Sequence, residues 1–191
     1  MNIMIVGVGG QGSLLASRIL GRAALDAGYA VKVSEVHGMS QRGGSVVTYV
    51  KYGETVDAPL ICRGEADVIL SFEQLEAARW LPYLRRGGTV VTSTQSINPM
   101  PVVTGASVYP DALVEKIAAK GVRIIAADTL AIAREAGSEK AANVALIGLA
   151  GQVLGFSDEA IRAAITACVP PKFTEVNLKA YSLGAENAAA L

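Results

Sequence analysis

Two glycine-rich segments in the first quarter of the chain each follow a short run of β-branched residues. Gly7–Gly12 reads GVGGQG and comes after the run Asn2–Gly7, and His37–Gly44 reads HGMSQRGG and comes after the run Ala30–Val36. Clustered glycines indicate a left-handed turn or a close approach of the backbone to another group. Because the first segment also precedes a helix-like pattern, it indicates a strand, a tight turn and a helix, as in parallel α/β sheets.

The rest of the chain continues this alternation of short apolar runs and amphipathic segments. Further strands are predicted at Ser45–Lys51, Ala66–Phe72, Thr89–Ser93 and Val122–Ala127, with an extended connection at Ile97–Thr104. Helices are predicted at Ser13–Ala27, from a Ser71–Gln74 capping box to about Arg86, at Asp111–Lys120, from Asp128 to near Gly137, at Ala141–Leu154 and at Ser157–Cys168. Two strands follow each other near residue 45 without a helix between them, so part of the sheet is antiparallel or mixed. We therefore expect an α/β fold in a single domain, residues 1–191, with three α/β/α layers and a mostly parallel, mixed sheet.

The segment 170–191 is expected to be an irregular tail. Pro170 and Pro171 end the preceding helix, and no helix cap follows them. The apolar side chains of this segment are Phe173, Val176, Leu178, Tyr181 and Leu183. An exposed apolar run of this size is unfavourable. The tail therefore packs on its own domain or on a partner, and in the second case the isolated chain would be expected to self-associate as a homodimer.

Charge and hydropathy exclude several classes of function. Lys+Arg and Asp+Glu both total 17, so the formal net charge is zero and a nucleic-acid surface is not expected. No apolar stretch is long enough to span a bilayer, and the start lacks the basic region of a signal peptide. We therefore expect a soluble cytoplasmic protein with neither nucleic acid nor membrane as a partner.

Candidate metal ligands and nucleophiles are scarce in this sequence. Cys62, Cys168 and His37 cannot supply the four ligands that a zinc ion or an iron–sulfur cluster normally needs. The two cysteines are expected to be free, buried thiols. No Ser-His-Asp or Cys-His arrangement is evident, so we assign neither a catalytic residue nor a metal site to this chain.

The first glycine segment matches the G-x-G-x-x-G pattern. Its candidate binding residues are Gly7, Gly9, Gly10, Gln11 and Gly12. Three interpretations remain open. The segment forms a dinucleotide site, with Glu35 as the ribose-binding carboxylate; or its amides and Gln11 bind a phosphate, another anion or a partner; or its glycines only allow the helix to pack tightly against the strand.

The second glycine segment carries a fixed positive charge among hydrogen-bond donors. Its candidate binding residues are His37, Ser40, Gln41, Arg42, Gly43 and Gly44. The Arg42 guanidinium, with side-chain and backbone donors beside it, is suited to hold a carboxylate or another anion. The alternative is a turn in which Arg42 pairs with a local acid such as Glu35. His37 is expected to order its loop rather than to act as a base.

These motifs resemble the gamma-type subunit of 2-oxoacid:ferredoxin oxidoreductases. The similarity lies in VGVGGQG from Val6 to Gly12 and in EVHGMSQRGGSV from Glu35 to Val46. Further agreement lies in PLI at 59–61, GEADVI at 64–69, NVALIG at 143–148 and PKFTEVN at 171–177. The resemblance spans nearly the whole chain and implies the fold of domain III of pyruvate:ferredoxin oxidoreductase.

The resemblance implies a subunit rather than a complete enzyme. A larger catalytic partner would carry thiamine diphosphate and the iron–sulfur clusters, and this chain alone would bind no cofactor. The holoenzyme would oxidatively decarboxylate an aryl 2-oxoacid such as indolepyruvate to an acyl-coenzyme A and pass electrons to ferredoxin. Both glycine segments would face the partner's cleft for coenzyme A or thiamine diphosphate, with Asn143 supporting them. The alternative function is a stand-alone protein that binds a dinucleotide or an anion at Gly7–Gly12.

Overall fold

The computed structural model describes residues 1–35 and 44–190. They form a six-stranded sheet with the order β2-β3-β1-β4-β5-β6. The strands are β1 (Asn2–Val8), β2 (Ala30–Glu35), β3 (Ser45–Gly53), β4 (Ala66–Ser71), β5 (Leu84–Ser93) and β6 (Arg123–Ala127). β1, β4, β5 and β6 are parallel neighbours, whereas β3 is antiparallel to both β1 and β2. The predicted mixed, mostly parallel sheet is confirmed.

Helices cover both faces of this sheet. They are α1 (Ser13–Asp26), α2 (Gln74–Trp80), α3 (Met100–Val103), α4 (Leu113–Ala118), α5 (Thr129–Ala136), α6 (Ala142–Leu149), α7 (Asp158–Cys168) and α8 (Thr174–Ala189). Successive residues of a strand face opposite sides. Ile3 and Ile5 of β1 accordingly share a core with α1, α6 and α7, while Met4 and Val6 share a second core with α2 and α4. The three-layer α/β/α prediction is confirmed.

The prediction that segment 170–191 is an irregular tail is wrong. After the short 3₁₀ helix Pro171–Phe173, the chain forms α8, and its buried positions Asn177, Ala180, Tyr181 and Gly184 recur at helical spacing. This helix begins without a side-chain cap, which is why the search for caps missed it. Its apolar side packs on α6 and α5 of the same chain, so the tail covers its own domain.

Close packing of α8 on α6 depends on two glycines. A Cβ atom at Gly148 would lie 2.1 Å from the Tyr181 carbonyl oxygen, and one at Gly184 would lie 2.2 Å from the Ala145 carbonyl oxygen. Real Cβ atoms do not approach backbone that closely, so the helices could not cross at this distance with larger residues. Gly184 therefore supports the helix through tertiary packing, although an interior glycine disfavours an isolated helix.

The segment between β4 and β5 also differs from its prediction. Glu73, not Ser71, caps α2: its carboxylate accepts a hydrogen bond from the Glu76 N–H at 2.9 Å. α2 ends at Trp80, a 3₁₀ turn with Pro82 follows, and β5 begins at Leu84. The helix predicted to reach about Arg86 is thus shorter, because Pro82 lacks the N–H that a continuing helix needs.

Other predicted boundaries hold more closely. Asp128 caps α5 and Ser157 caps α7 through side-chain hydrogen bonds, and α5 ends at the left-handed Gly137. The buried helix predicted at Ala141–Leu154 is α6 followed by a 3₁₀ turn. The connection Ile97–Thr104 is not extended throughout, because it contains the short α3, and Pro101 lies in the first turn of that helix, where a proline is tolerated. Within residues 1–35 and 44–190, no helix combines the length and apolar character that crossing a bilayer requires.

Candidate functional site

The first glycine turn meets Gly44, the last residue of the second glycine segment, at one edge of the sheet. β2 runs parallel to β1 because the antiparallel β3 lies between them, so both strands end at the same edge. Val8 pairs with Ser45 in the register, which brings the start of β3 back to this edge. The Gly9 N–H donates to the Gly44 carbonyl at 2.9 Å. The chain therefore leaves β2 and returns to β3 beside the first glycine turn.

Gly12 joins this turn to α1 and to α6. It is the N-terminal cap of α1 in a left-handed conformation, φ 87°, and no side chain caps the helix. A Cβ atom here would lie 2.6 Å from Asn143 Nδ2. That same amide donates to the Gly12 carbonyl at 3.1 Å, and Asn143 is almost fully buried. Asn143 thus contacts the turn directly from the first residues of α6.

Gln11 ties the ends of three strands together. Its Oε1 accepts a hydrogen bond from the Val8 N–H at 2.7 Å, and its Nε2 donates to the Phe72 carbonyl at 3.0 Å and to Gln95 Oε1 at 3.2 Å. Both amide protons have partners within the fold. The predicted role of Gln11 as a donor to a phosphate or a partner therefore competes with its internal hydrogen bonds. Gly7 makes room for this side chain, since a Cβ there would lie 2.8 Å from Gln11 Oε1.

A cleft opens at this edge between the ends of the parallel strands. It has a volume of about 480 Å³. Its lining is Gly10, Gln11, Gly12, Phe72, Gln95, Ile97, Thr129, Leu130, Glu139, Lys140, Ala142 and Asn143. The cleft meets the start of α1 at Gly12, and the N-terminal end of a helix carries a partial positive charge. Lys140 is exposed and forms no ion pair with another described residue, whereas Glu139 pairs with Arg134 at 2.7 Å.

A second cleft of about 430 Å³ lies on the other side of the same turn. Its lining is Gly9, Gly10, Gly12, Ser13, Leu14, Leu15, Arg18, Glu35, Val46 and Thr48. The Glu35 carboxylate at its wall accepts a hydrogen bond from the Ser17 hydroxyl of α1 at 3.0 Å. This cleft carries both signs of charge, because Arg18 also lines it.

The sheet order disfavours a dinucleotide site. In a Rossmann domain the strand that carries the ribose-binding carboxylate lies next to β1. Here β3 separates β2 from β1, so Glu35 lies two strand spacings away, about 9–10 Å in the plane of the sheet. The spacing of Glu35 along the sequence matched the dinucleotide pattern, but its place in the sheet does not.

Two buried carboxylates at this edge escaped the sequence analysis. Glu73 Oε1 accepts from the Ile97 N–H at 3.1 Å and from the Tyr109 hydroxyl. Burial, together with the hydrogen bond to Glu73, raises the pKa of Tyr109. Glu76 accepts from the Ser45 hydroxyl, from Arg79 Nε at 3.0 Å and from Trp80 Nε1 at 3.3 Å. These hydrogen bonds hold the connection after β5 and the start of β3.

The structure brings together part of the predicted site. The predicted residues that lie at this edge are Gly7, Gly9, Gly10, Gln11, Gly12, Glu35, Gly44 and Asn143. His37, Ser40, Gln41, Arg42 and Gly43 lie outside the described residues, and their roles stay predictions. The sequence analysis missed Gln95, Thr129 and Lys140, which come from three distant segments. A polar residue just after each strand was the available signal for the first two.

The residues present do not fit an iron–sulfur cluster. Such a cluster normally takes four ligands, and the chain has two cysteines. Cys62 is exposed and Cys168 is half-buried, so the prediction that both thiols are buried is wrong for Cys62. Within the described ranges, no group of three His, Cys, Asp or Glu side chains is arranged to hold a metal ion.

The chain belongs to a family of oxidoreductases. Residues 2–187 match the family described as pyruvate ferredoxin/flavodoxin oxidoreductase. The chain is a subunit of a 2-oxoacid:ferredoxin oxidoreductase, as the resemblance of its glycine motifs predicted. The match covers nearly the whole chain.

Individual relatives agree with this class over nearly their full length. The chain is 48% identical to indolepyruvate oxidoreductase subunit IorB of Thermococcus kodakarensis and 46% identical to the protein of the same name from Pyrococcus horikoshii. Each comparison covers 98% of this chain and 95% of the relative. Among solved structures, the gamma subunit of a keto/oxoacid ferredoxin oxidoreductase from Geobacter sulfurreducens superposes with a TM-score of 0.74 at 25% identity. That superposition covers 100% of this chain and 99% of the other.

Proposed function

We propose that this chain is the small subunit of an indolepyruvate:ferredoxin oxidoreductase. The observation that carries the proposal is the 48% identity to an IorB protein over 98% of this chain. The holoenzyme converts an aryl 2-oxoacid to an acyl-coenzyme A and passes electrons to ferredoxin. Thiamine diphosphate bound in the larger subunit would supply the decarboxylation chemistry, and iron–sulfur clusters bound there would supply the route for the electrons.

The chain's own contribution is the edge formed by the glycine turn and its clefts. This edge presents the N–H groups at the start of α1 and the exposed Lys140 to the large subunit and its coenzyme A or thiamine diphosphate cleft. Amide donors at a helix start and a nearby cation suit a phosphate group or a partner's carboxylate. Asn143 and Gln11 hold the turn, so the donors are in place before the partner arrives.

Reconstitution tests the proposal. The chain is purified alone, the large subunit alone, and both together, and each sample is assayed for reduction of ferredoxin with indolepyruvate and coenzyme A. We expect turnover only in the combined sample. Turnover by the isolated chain, or no stimulation of the large subunit, would contradict the proposal. Titration of the isolated chain with NAD and FAD tests the alternative, because a dinucleotide-binding protein should show affinity in the micromolar range.

A substitution in the cleft tests the role of its cation. Lys140→Ala should weaken subunit association or raise the KM for coenzyme A by about ten-fold, which corresponds to one charge-assisted hydrogen bond of about 1.5 kcal/mol. The matched control is Lys32→Ala, which removes an exposed lysine from β2. Association and kinetics that are equal in both variants would remove Lys140 from the site.

We propose that the protein is cytoplasmic. Cys62 and Cys168 are free thiols, and Cys62 is exposed. Unpaired exposed cysteines are typical of a reducing compartment. A disulfide-forming compartment would oxidise Cys62 readily, and mass spectrometry of the native protein without reductant checks this: we expect a free thiol at Cys62.

A further inference from the structure

The edge of the sheet opposite the glycine turn carries a basic cleft. Its volume is about 460 Å³, and it lies where β5 and β6 begin. Its lining is Leu81, Leu84, Arg85, Arg86, Gly87, Gly88, Lys120, Gly121, Val122 and Arg123. Four of these residues are basic and none is acidic. The function proposed above uses the other edge and leaves this cleft without a role.

Three of the four cations are unpaired within the described part of the chain. Arg85 forms an ion pair with Asp67, whereas Arg86, Lys120 and Arg123 are exposed and pair with no described carboxylate. The chain as a whole has a formal net charge of zero. The positive charge here is therefore local, and a concave surface lined by one sign of charge attracts an oppositely charged partner.

The surroundings of the basic cleft favour the binding of a protein surface over the binding of a small ligand. Ligands of open α/β sheets bind outside the carboxyl ends of the strands, and this cleft lies at the amino ends of β5 and β6. The charged side chains stand in solvent, and the apolar lining residues Leu81, Leu84 and Val122 are partly buried in the core. A charged surface without apolar anchors suits a transient complex that electrostatics steers together, rather than a permanent subunit interface.

We propose that the cleft of Arg86, Lys120 and Arg123 docks the acidic surface of a protein electron carrier, a ferredoxin of net negative charge. The inference rests on the proposed function for the class of carrier, and it adds the place where the carrier touches this chain. Carboxylates on the carrier pair with the three exposed cations Arg86, Lys120 and Arg123. The contact raises the rate of encounter and leaves the chemistry in the large subunit unchanged.

Charge reversal in the assembled complex tests the docking. The triple variant R86E/K120E/R123E should lower kcat/KM for ferredoxin at least ten-fold at low ionic strength. Reduction of a small redox dye by the same complex should stay within two-fold of wild type.

Salt dependence provides a second test. For the unsubstituted complex, kcat/KM for ferredoxin should fall steeply as salt rises from about 0.01 M to about 1 M, because screening shortens the reach of the charges. The matched control K32E/K172E/K179E, which changes the net charge equally at exposed lysines elsewhere, should leave kcat/KM for ferredoxin within two-fold.

Other outcomes would overturn the proposal. An unchanged kcat/KM for ferredoxin in the triple variant removes the cleft from docking. An equal fall with ferredoxin and with dye assigns the cleft to folding or assembly instead. Binding of ferredoxin to the immobilised full chain tests the docking without turnover. We expect a ten-fold weaker Kd for the triple variant than for the unsubstituted chain. Equal binding to the two chains, or no binding to either, contradicts the proposal. Loss of dye reduction in the unsubstituted complex counts against the proposed function, not against the docking.

Discussion

Gly12 is the residue on which the geometry of the glycine turn most directly depends. Its left-handed backbone starts α1, and its missing side chain leaves the space that the Asn143 amide occupies. Any L residue at this position incurs the cost of a positive φ, of the order of 1–2 kcal/mol. It also displaces Asn143 from its hydrogen bond to the Gly12 carbonyl. The backbone conformation at position 12 and the packing against Asn143 thus each require glycine there.

Substitutions at Gly12 and Gly10 should separate these two effects. Gly10 also has a positive φ, 103°, but nothing lies within 4 Å of the place where its Cβ would be. Gly10→Ala should therefore lower the free energy of unfolding by about 1–2 kcal/mol, from strain alone. Gly12→Ala should cost about 1–2 kcal/mol more, because Asn143 must move as well. Urea unfolding measures both, and equal losses would contradict the packing argument.

A double-mutant cycle tests the contact between Gly12 and Asn143. If the added methyl group clashes with Asn143, then Asn143→Ala should relieve part of the cost of Gly12→Ala, with a coupling energy of about 1 kcal/mol. The pair Gly10→Ala and Asn143→Ala provides the control, and its effects should add. Additive effects in both cycles would show that the amide moves aside freely.

At the scale of elements, the crossing of α6 and α8 decides where the end of the chain lies. The two helices meet through Gly148 and Gly184, each of which faces the backbone of the other helix. Backbone is less able than a side chain to move aside, so the contact tolerates little added volume. The crossing also buries Tyr181 and so closes the core on the α1 side of the sheet.

Alanine at Gly148 or Gly184 should destabilise the protein strongly, whereas alanine at another helical glycine should not. Gly184→Ala and Gly148→Ala should each lower the free energy of unfolding by about 3 kcal/mol or more, because the new methyl group overlaps a carbonyl oxygen. Gly21 in α1 is the control, since its Cβ would meet only Val33 and Val31 side chains at ordinary distances. Gly21→Ala should raise stability by about 0.5–1 kcal/mol. Losses of similar size at all three positions would contradict the argument.

Hydrogen bonds between distant elements hold together the edge of the sheet that carries the glycine turn. Gln11, Glu73 and Glu76 each join segments that are far apart in the sequence. Their respective partners include the Phe72 carbonyl, the Ile97 N–H and the Ser45 hydroxyl. Removing one partner leaves a buried polar group unsatisfied, which costs about 1–3 kcal/mol. The edge is therefore a product of several strands, not of the glycine turn alone.

For the molecule as a whole, buried tyrosines couple stability to alkaline pH. Burial raises the pKa of Tyr52 above its ordinary value of 10.0, and burial with the nearby Asp158 raises the pKa of Tyr181 to about 12. The Tyr52 hydroxyl donates to the Leu154 carbonyl. A phenol with a raised folded-state pKa stabilises the fold fully below the unfolded pKa. That contribution is lost as pH rises through the folded-state pKa.

Unfolding at alkaline pH should reveal this coupling. The free energy of unfolding should fall as pH rises from 10 to 12, the window between the ordinary pKa and that of Tyr181. Tyr52→Phe should be less stable at neutral pH by about 1–3 kcal/mol, since the Leu154 carbonyl loses its donor. Its further loss between pH 10 and 12 should be smaller than that of wild type, although Tyr181 still contributes. Urea unfolding across this range checks both, and parallel curves would contradict the role of Tyr52.

Local patterns along the chain were sufficient for much of the fold. The apolar runs predicted every strand of the sheet, and the caps at Asp128 and Ser157 predicted the starts of two helices. The glycine motifs and the other matching stretches identified the family. These features depend on neighbours within a few positions, and such neighbours are visible in the order of residues.

Contacts between distant segments decided the rest. α8 forms without a cap because it packs on α6. Glu35 lies away from the expected ribose position because β3 pairs between β1 and β2. Lys140 reaches the cleft at Gly10–Gly12 only because α6 lies beside the start of α1. Pairing and packing of this kind depend on which surfaces meet after folding, and the periodicity of one segment carries no information about its partner.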